Sequence, residues 1–174
     1  MSFASFHYAY RSRDDLLLEV MQRVLDAEMT AAFRVLGPDA DIRRSVRRGL
    51  SAFLDCVMAD PGQERAVQEL VHHALFTPGL EHLARARYRS YHRAVVELLV
   101  EAAHAAGVRW VQPVADVARF VVAVIDGLTL VWLADRDAVS AGRMIELAVD
   151  SISALAEPRS HPVTSTPTAR SGAS

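Results

Sequence analysis

Apolar residues recur at helical spacing through most of this 174-residue chain, and Gly and Pro mark where each helical run stops. Ser12 followed by Arg13-Asp14-Asp15 forms a capping-box-like start, with the Asp15 carboxylate three positions on. From there Leu16, Leu17, Val20, Met21, Val24, Leu25 and Met29 predict one buried helix face, ended by Gly37-Pro38. A second helix is predicted from about Asp41 to Ala59, with Ile42, Val46, Leu50, Phe53, Leu54 and Val57 inward and Pro61 closing it. A third, shorter one carries Val67, Leu70, Val71, Ala74 and Leu75 up to Thr77-Pro78-Gly79. The fourth runs from Leu80 to Ala106, with Ala84, Tyr88, Tyr91, Val95, Leu98, Leu99 and Ala102 on one face and Gly107 at its end. Pro113 opens an almost wholly apolar run to Leu133, followed by the polar break Ala134-Asp135-Arg136-Asp137. A last helix, capped by Ser140, carries Ile145, Leu147, Ala148, Ile152 and Leu155. After Glu157 the chain turns to Pro, Ser and Thr, so residues 158–174 are expected to be a disordered tail. No strand-like alternation of useful length appears, and the fold class read from this pattern is all-α.

Composition narrows the classes. Hydrophobic residues make up 51% of a chain long enough to bury a core. A net charge of -2 exerts no global pull toward nucleic acid or an anionic membrane, so DNA affinity has to come from a local patch. The 19 basic residues are all Arg, which fits the coding bias of a GC-rich bacterial genome. A single cysteine, Cys56, excludes a disulfide framework and points to a reduced, cytoplasmic setting. The amino end has no basic-then-apolar leader, and Arg119 and Asp126 interrupt the longest apolar run, so no membrane span is expected.

The run Val121 to Leu133 is apolar on every side, and such a helix must be covered on every side. Either it is the central helix of one protomer, or a second copy of the chain covers it in an isologous interface. Gly127 would let a neighbouring backbone approach, and Asp126 becomes a buried or interfacial acid that needs a partner, with Arg or His the natural candidates.

Chemical motifs give little. Glu69-His72 and Glu101-His104 have the Glu-x-x-His spacing of di-iron bundles, but Glu101 and His104 fall on the stripe with Arg87, Ser90, Ala94 and Glu97, opposite the apolar face. His72-His73 and His82 lack the further ligands of a zinc site. Nucleophile elbow, P-loop and dinucleotide glycine patterns are all missing, so neither an enzyme, a metal nor a cofactor is expected. Arg43, Arg44, Arg47 and Arg48 form a basic face, read as solvated and balanced by Asp39, Asp41 and nearby acids.

The amino-terminal stretch carries the most specific signal. Ser2, Ala4-Ser5, Phe6, Tyr10, Ser12, Arg13, Asp14-Asp15 and Leu16-Leu17 fall in the register that joins the recognition helix to the next helix in TetR-family transcriptional regulators, which the chain resembles. His7, Ala9, Tyr10 and Arg13 stand where that family has Tyr, His, Phe and Lys. The resemblance implies a TetR-like helical bundle whose helix-turn-helix is truncated, since two helices of the family's DNA-binding domain precede this register and a recognition helix needs such a brace. It divides the chain into a recognition-helix remnant at 1–12, a ligand-binding and dimerisation domain at 13–157 and the tail at 158–174. By position it assigns DNA contacts to Ser2, Phe3, Ser5, His7 and Arg13. It also favours the dimer, placing Val124, Leu128, Trp132, Leu147, Ile152 and Leu155 in a four-helix interface. A small apolar effector is expected among the middle helices, at Phe53, Cys56, His73, Phe76, Tyr88, Tyr91, His92 and Phe120, neutral or weakly anionic and held by aromatic stacking and a hydrogen bond. The function implied is a ligand-responsive repressor, homodimeric, bound to a DNA operator when its helix-turn-helix is complete and impaired in DNA binding in this form. The competing reading is a dimeric module that binds a ligand or antagonises a relative without touching DNA.

Overall fold

The computed structural model describes residues 40–159, together with helical residues 16, 17, 19–23, 26 and 30. The expected DNA contacts at Ser2, Phe3, Ser5, His7 and Arg13, and the tail from residue 160 onward, lie outside the described residues. Helix α1 spans Ile42–Ala59, α2 Pro61–Phe76, α3 Glu81–Ala105, α4 Val114–Asp135 and α5 Ala138–Ser153. Two three-residue strands, β1 (Val108–Trp110) and β2 (Ala156–Pro158), follow α3 and α5.

Acids write most of the helix starts. The Asp41 carboxylate accepts from the backbone N–H groups of Arg43 and Arg44 and so satisfies donors that the first turn of α1 cannot. Asp60 serves two helices, since its N–H donates to the Cys56 carbonyl as α1 ends and its carboxylate accepts from Gln63 as α2 begins. Pro61 therefore opens α2 rather than merely closing α1, because a proline costs nothing at a first helical position that has no N–H partner. Asp137, not Ser140, caps α5, accepting from both Val139 and Ser140 N–H at 2.9 and 3.0 Å. Replacing Asp137 by Ala is expected to lower stability by about 1 kcal/mol in urea denaturation, whereas Ser140→Ala should leave the midpoint in place. Equal losses for the two would return the cap to Ser140.

The main core gathers the inward faces of α1, α3, α4 and α5, including Leu54, Val95, Val122, Ile125, Leu128 and Ile152. A second, smaller cluster joins α2 and the first half of α3 to the amino-terminal helical residues through Met21, Val67, Val71, Ala74, Leu83 and Ala84. Tyr88 packs against both. The basic face of α1 turns out to meet acids of α5: Arg47 makes a two-pronged pair with Glu146 at 2.7 and 2.6 Å, and Arg43 pairs with Asp150. Arg47 holds the Glu146 carboxyl below its ordinary value, so the pair supports the fold at neutral pH and is lost as pH falls through that lowered value. Exposure makes it a weak clamp that orients α1 on α5 more than it stabilises them.

The strand pair was not anticipated from the sequence. Val108 stands opposite Pro158, Arg109 opposite Glu157 and Trp110 opposite Ala156 in antiparallel register. Gly107, at φ +64, turns the chain out of α3, a left-handed conformation that glycine adopts without strain. Its carbonyl then accepts from Arg159 N–H at 3.0 Å, and the Trp110 indole donates to the Leu99 carbonyl at 3.1 Å. Pro158 and Arg159 are thus tied to the body, two residues into the segment expected to be tail.

Candidate functional site

Two unlike features meet along α3. One is an apolar cavity of about 60 Å³ enclosed by α1, α3, α4 and α5, with Gly49 and Phe53 on one side, Leu98 and Ala102 on another, and Ile125 and Ile152 at its floor. Ser45 is the only polar residue in its lining. The spacing of Ser45, Gly49 and Phe53 puts them on one side of α1, where the small residues leave a gap between α1 and α3 that larger ones would fill.

The other feature is a polar cluster where α2, α3 and α4 converge. Asp126 on α4 accepts from the Tyr88 hydroxyl of α3 at 2.8 Å. Burial raises the Asp126 carboxyl above its ordinary value, against the opposing pull of the Tyr88 hydrogen bond and of Arg87, and nearby Glu64 raises it further. Burial and the same carboxylate push the Tyr88 phenol up to about 12, so it stays a donor across the physiological range. Next to it, His92 is held below the usual imidazole value by burial and by Arg119, which keeps it neutral near pH 7. Arg87, 5% exposed, donates to the Met21 carbonyl at 2.9 Å and lies over the Tyr91 ring at 5.8 Å. Glu64, 3% exposed on α2, accepts from Gln68 at 2.8 Å. Three residues beyond Asp126 on α4, the buried Thr129 hydroxyl has no hydrogen-bond partner among the described residues. The cluster can orient a hydrogen-bonding group and couples three helices to the amino-terminal segment.

The expected effector residues do not converge. Phe53 lines the cavity, and Cys56 sits half-buried further along α1. Tyr88 and His92 belong to the polar cluster, their rings 6.1 Å apart, while Tyr91 is buried in the main core. His73 and Phe76 stand exposed at the last turn of α2, where Phe76 stacks on His72 with ring centroids 4.5 Å apart. Phe120 is 42% exposed on α4. The reason is geometric: the inward face of α2 is Glu64, Val67, Val71 and Ala74, and positions 73 and 76 fall off that face.

The expected interface also divides. Leu128, Trp132 and Ile152 are packed inside their own chain, Val124 and Leu155 are half-buried, and Leu147 is exposed. Asp126 finds Tyr rather than Arg or His as its hydrogen-bond partner, and Arg87, read from the sequence as part of a solvated stripe, is buried. Glu69, His72, Glu101 and His104 all face solvent. Sequence reasoning missed the cavity; the one available signal was a glycine inside the helical run of α1. Residues 42–157 match the family described as BetI-type transcriptional repressor, C-terminal. Comparison with curated proteins and with solved structures found no match.

Proposed function

Because the chain belongs to the TetR family of transcriptional regulators, we propose that it is a ligand-responsive repressor that works as a homodimer in the cytoplasm. The observation that carries this is the family match across residues 42–157, which runs from the start of α1 into β2. In this reading the remnant at 1–12 and Arg13 serve DNA, with Ser2, Phe3, Ser5, His7 and Arg13 at bases and phosphates.

The dimer surface is the outer face of α4 and α5. Phe120, Leu130, Val131, Val139 and Leu147 leave 42 to 68% of their area exposed there, more contiguous apolar surface than a solvated pair of helices needs. Gly127 fits the same face, since a Cβ there would meet nothing within 4 Å in its own chain and a partner's backbone can approach. By length and composition α4 could cross a membrane, with a mean hydropathy of 2.0 over its most apolar window, yet its inner side is built into the core with Ala118, Val122, Ile125 and Leu128.

Chromatin immunoprecipitation of the protein expressed from its own locus tests the function. Enrichment of one short palindromic operator is expected, with release when the effector is supplied. Uniform recovery of genomic DNA would leave only the non-DNA-binding alternative. Sedimentation tests the dimer: Leu147→Arg should fold like the parent and sediment as a monomer, and an undiminished dimer would move the interface elsewhere.

A further inference from the structure

The ligand-responsive reading leaves open what the effector is made of, and the cavity under Gly49 bears on that. Its lining has no charged group and no amide side chain to orient a polar molecule; only the Ser45 hydroxyl interrupts the hydrocarbon. A lining of this kind favours apolar matter over a polar group. Size narrows the choice further. An apolar cavity of about 150 Å³ takes up benzene, and this one holds about 60 Å³. So small a space favours the end of an unbranched alkyl chain over a ring.

Access is on the α1–α3 side. Most lining residues are buried, and the partly exposed ones, Val46, Gly49 and Leu98, mark a mouth between these two helices. Gly49 is the unusual member. It lies inside α1, where glycine costs about 1 kcal/mol against alanine. Neither of the usual reasons for glycine applies: a Cβ would meet nothing within 4 Å, and the backbone is ordinary helix. What the missing side chain does is leave the mouth open.

We propose that this cavity receives the terminal alkyl segment of the effector, entering past Gly49 with its polar end left at the α1–α3 surface. The proposal rests on the ligand-responsive reading and gives it a chemical class, a molecule with a slim, unbranched aliphatic tail. It differs from the aromatic-stacked ligand expected from the sequence, because the aromatic residues other than Phe53 lie outside the lining.

Calorimetric titration of the full chain with 1-octanol, and with cyclohexanol as the bulky control, tests this without DNA. Saturable binding of 1-octanol with a negative heat-capacity change is expected, and cyclohexanol should bind at least about tenfold more weakly. Gly49→Leu blocks the mouth from α1 and Ala102→Leu fills the void from α3, so each should weaken 1-octanol by about tenfold or more. Gly49→Ala should raise the melting temperature of the unliganded protein. Absence of 1-octanol binding, cyclohexanol binding as tight as 1-octanol, or full affinity in both filled variants would overturn the proposal. Such a result leaves the operator-binding function standing, just as failure to find an operator leaves the cavity's occupant unaffected.

Discussion

Ile152→Ala and Leu128→Ala are expected to lower the unfolding free energy by about 2–5 kcal/mol each, and Arg at either position to leave no folded protein. Both side chains are buried in the main core, at 0 and 2% exposure. An arginine there would place an unpaired charge among aliphatic groups, a cost beyond what a domain of this size holds in reserve. The sequence alone suggested a different outcome, with both positions at the dimer interface and arginine there giving a monomer or an aggregate. Urea denaturation at several protein concentrations separates the two. A well-folded monomeric Ile152→Arg with parental stability would mean that Ile152 faces a partner after all.

The second large effect is expected at Arg87. Arg87→Ala removes a buried guanidinium that bonds the Met21 carbonyl and offsets the charge of Asp126. Breaking a buried charge arrangement by deleting one member costs about 3–5 kcal/mol. Asp126 also gives the loss a pH dependence. Its folded carboxyl is already raised, chiefly by burial, so its contribution to stability is fully present below the unfolded carboxylate range and is lost as pH rises through the folded value. Arg87 opposes that rise. Without it the folded value climbs further, and the variant should regain part of its deficit as the solution is made mildly acidic. Denaturation of parent and variant at neutral and mildly acidic pH measures this. A deficit of the same size at both would show that Arg87 acts on Met21 alone.

What could be read from the chain alone was whatever its neighbours in sequence decide. The inward face of α3 follows from period 3.6, and its end follows from Gly107, because both are local. The apolar pattern of α2 registers only from Val67, although the helix starts at Pro61, since the first turn buries Glu64 in place of an apolar residue, which breaks the pattern without breaking the helix. Choosing Ser140 over Asp137 was a contest between two good caps three residues apart, decided by which carboxylate or hydroxyl reaches the free N–H groups. Arg87 was illegible for a deeper reason: its burial depends on a carbonyl 66 residues earlier in the chain, and a polar residue at a polar-looking position carries no sign of that. The strand pair has three residues a side, too few for alternation to register. As for the site, Phe53 was named, but a void is a property of what several helices leave unfilled and has no residue of its own; Gly49 was its nearest trace.

The clasp of β1 with β2 fixes Arg159 against the body. Arg159 is anchored at Gly107, beside the carboxyl end of α3, whereas Met21 meets α3 at Arg87 near its amino end. At a rise of about 1.5 Å per residue, the stretch of α3 from Arg87 to Ala105 is about 27 Å long. Met21 and Arg159 therefore sit toward opposite ends of one rod, so a reporter pair attached beside these two residues is spaced by the length of that helix and reads the tilt of one end against the other.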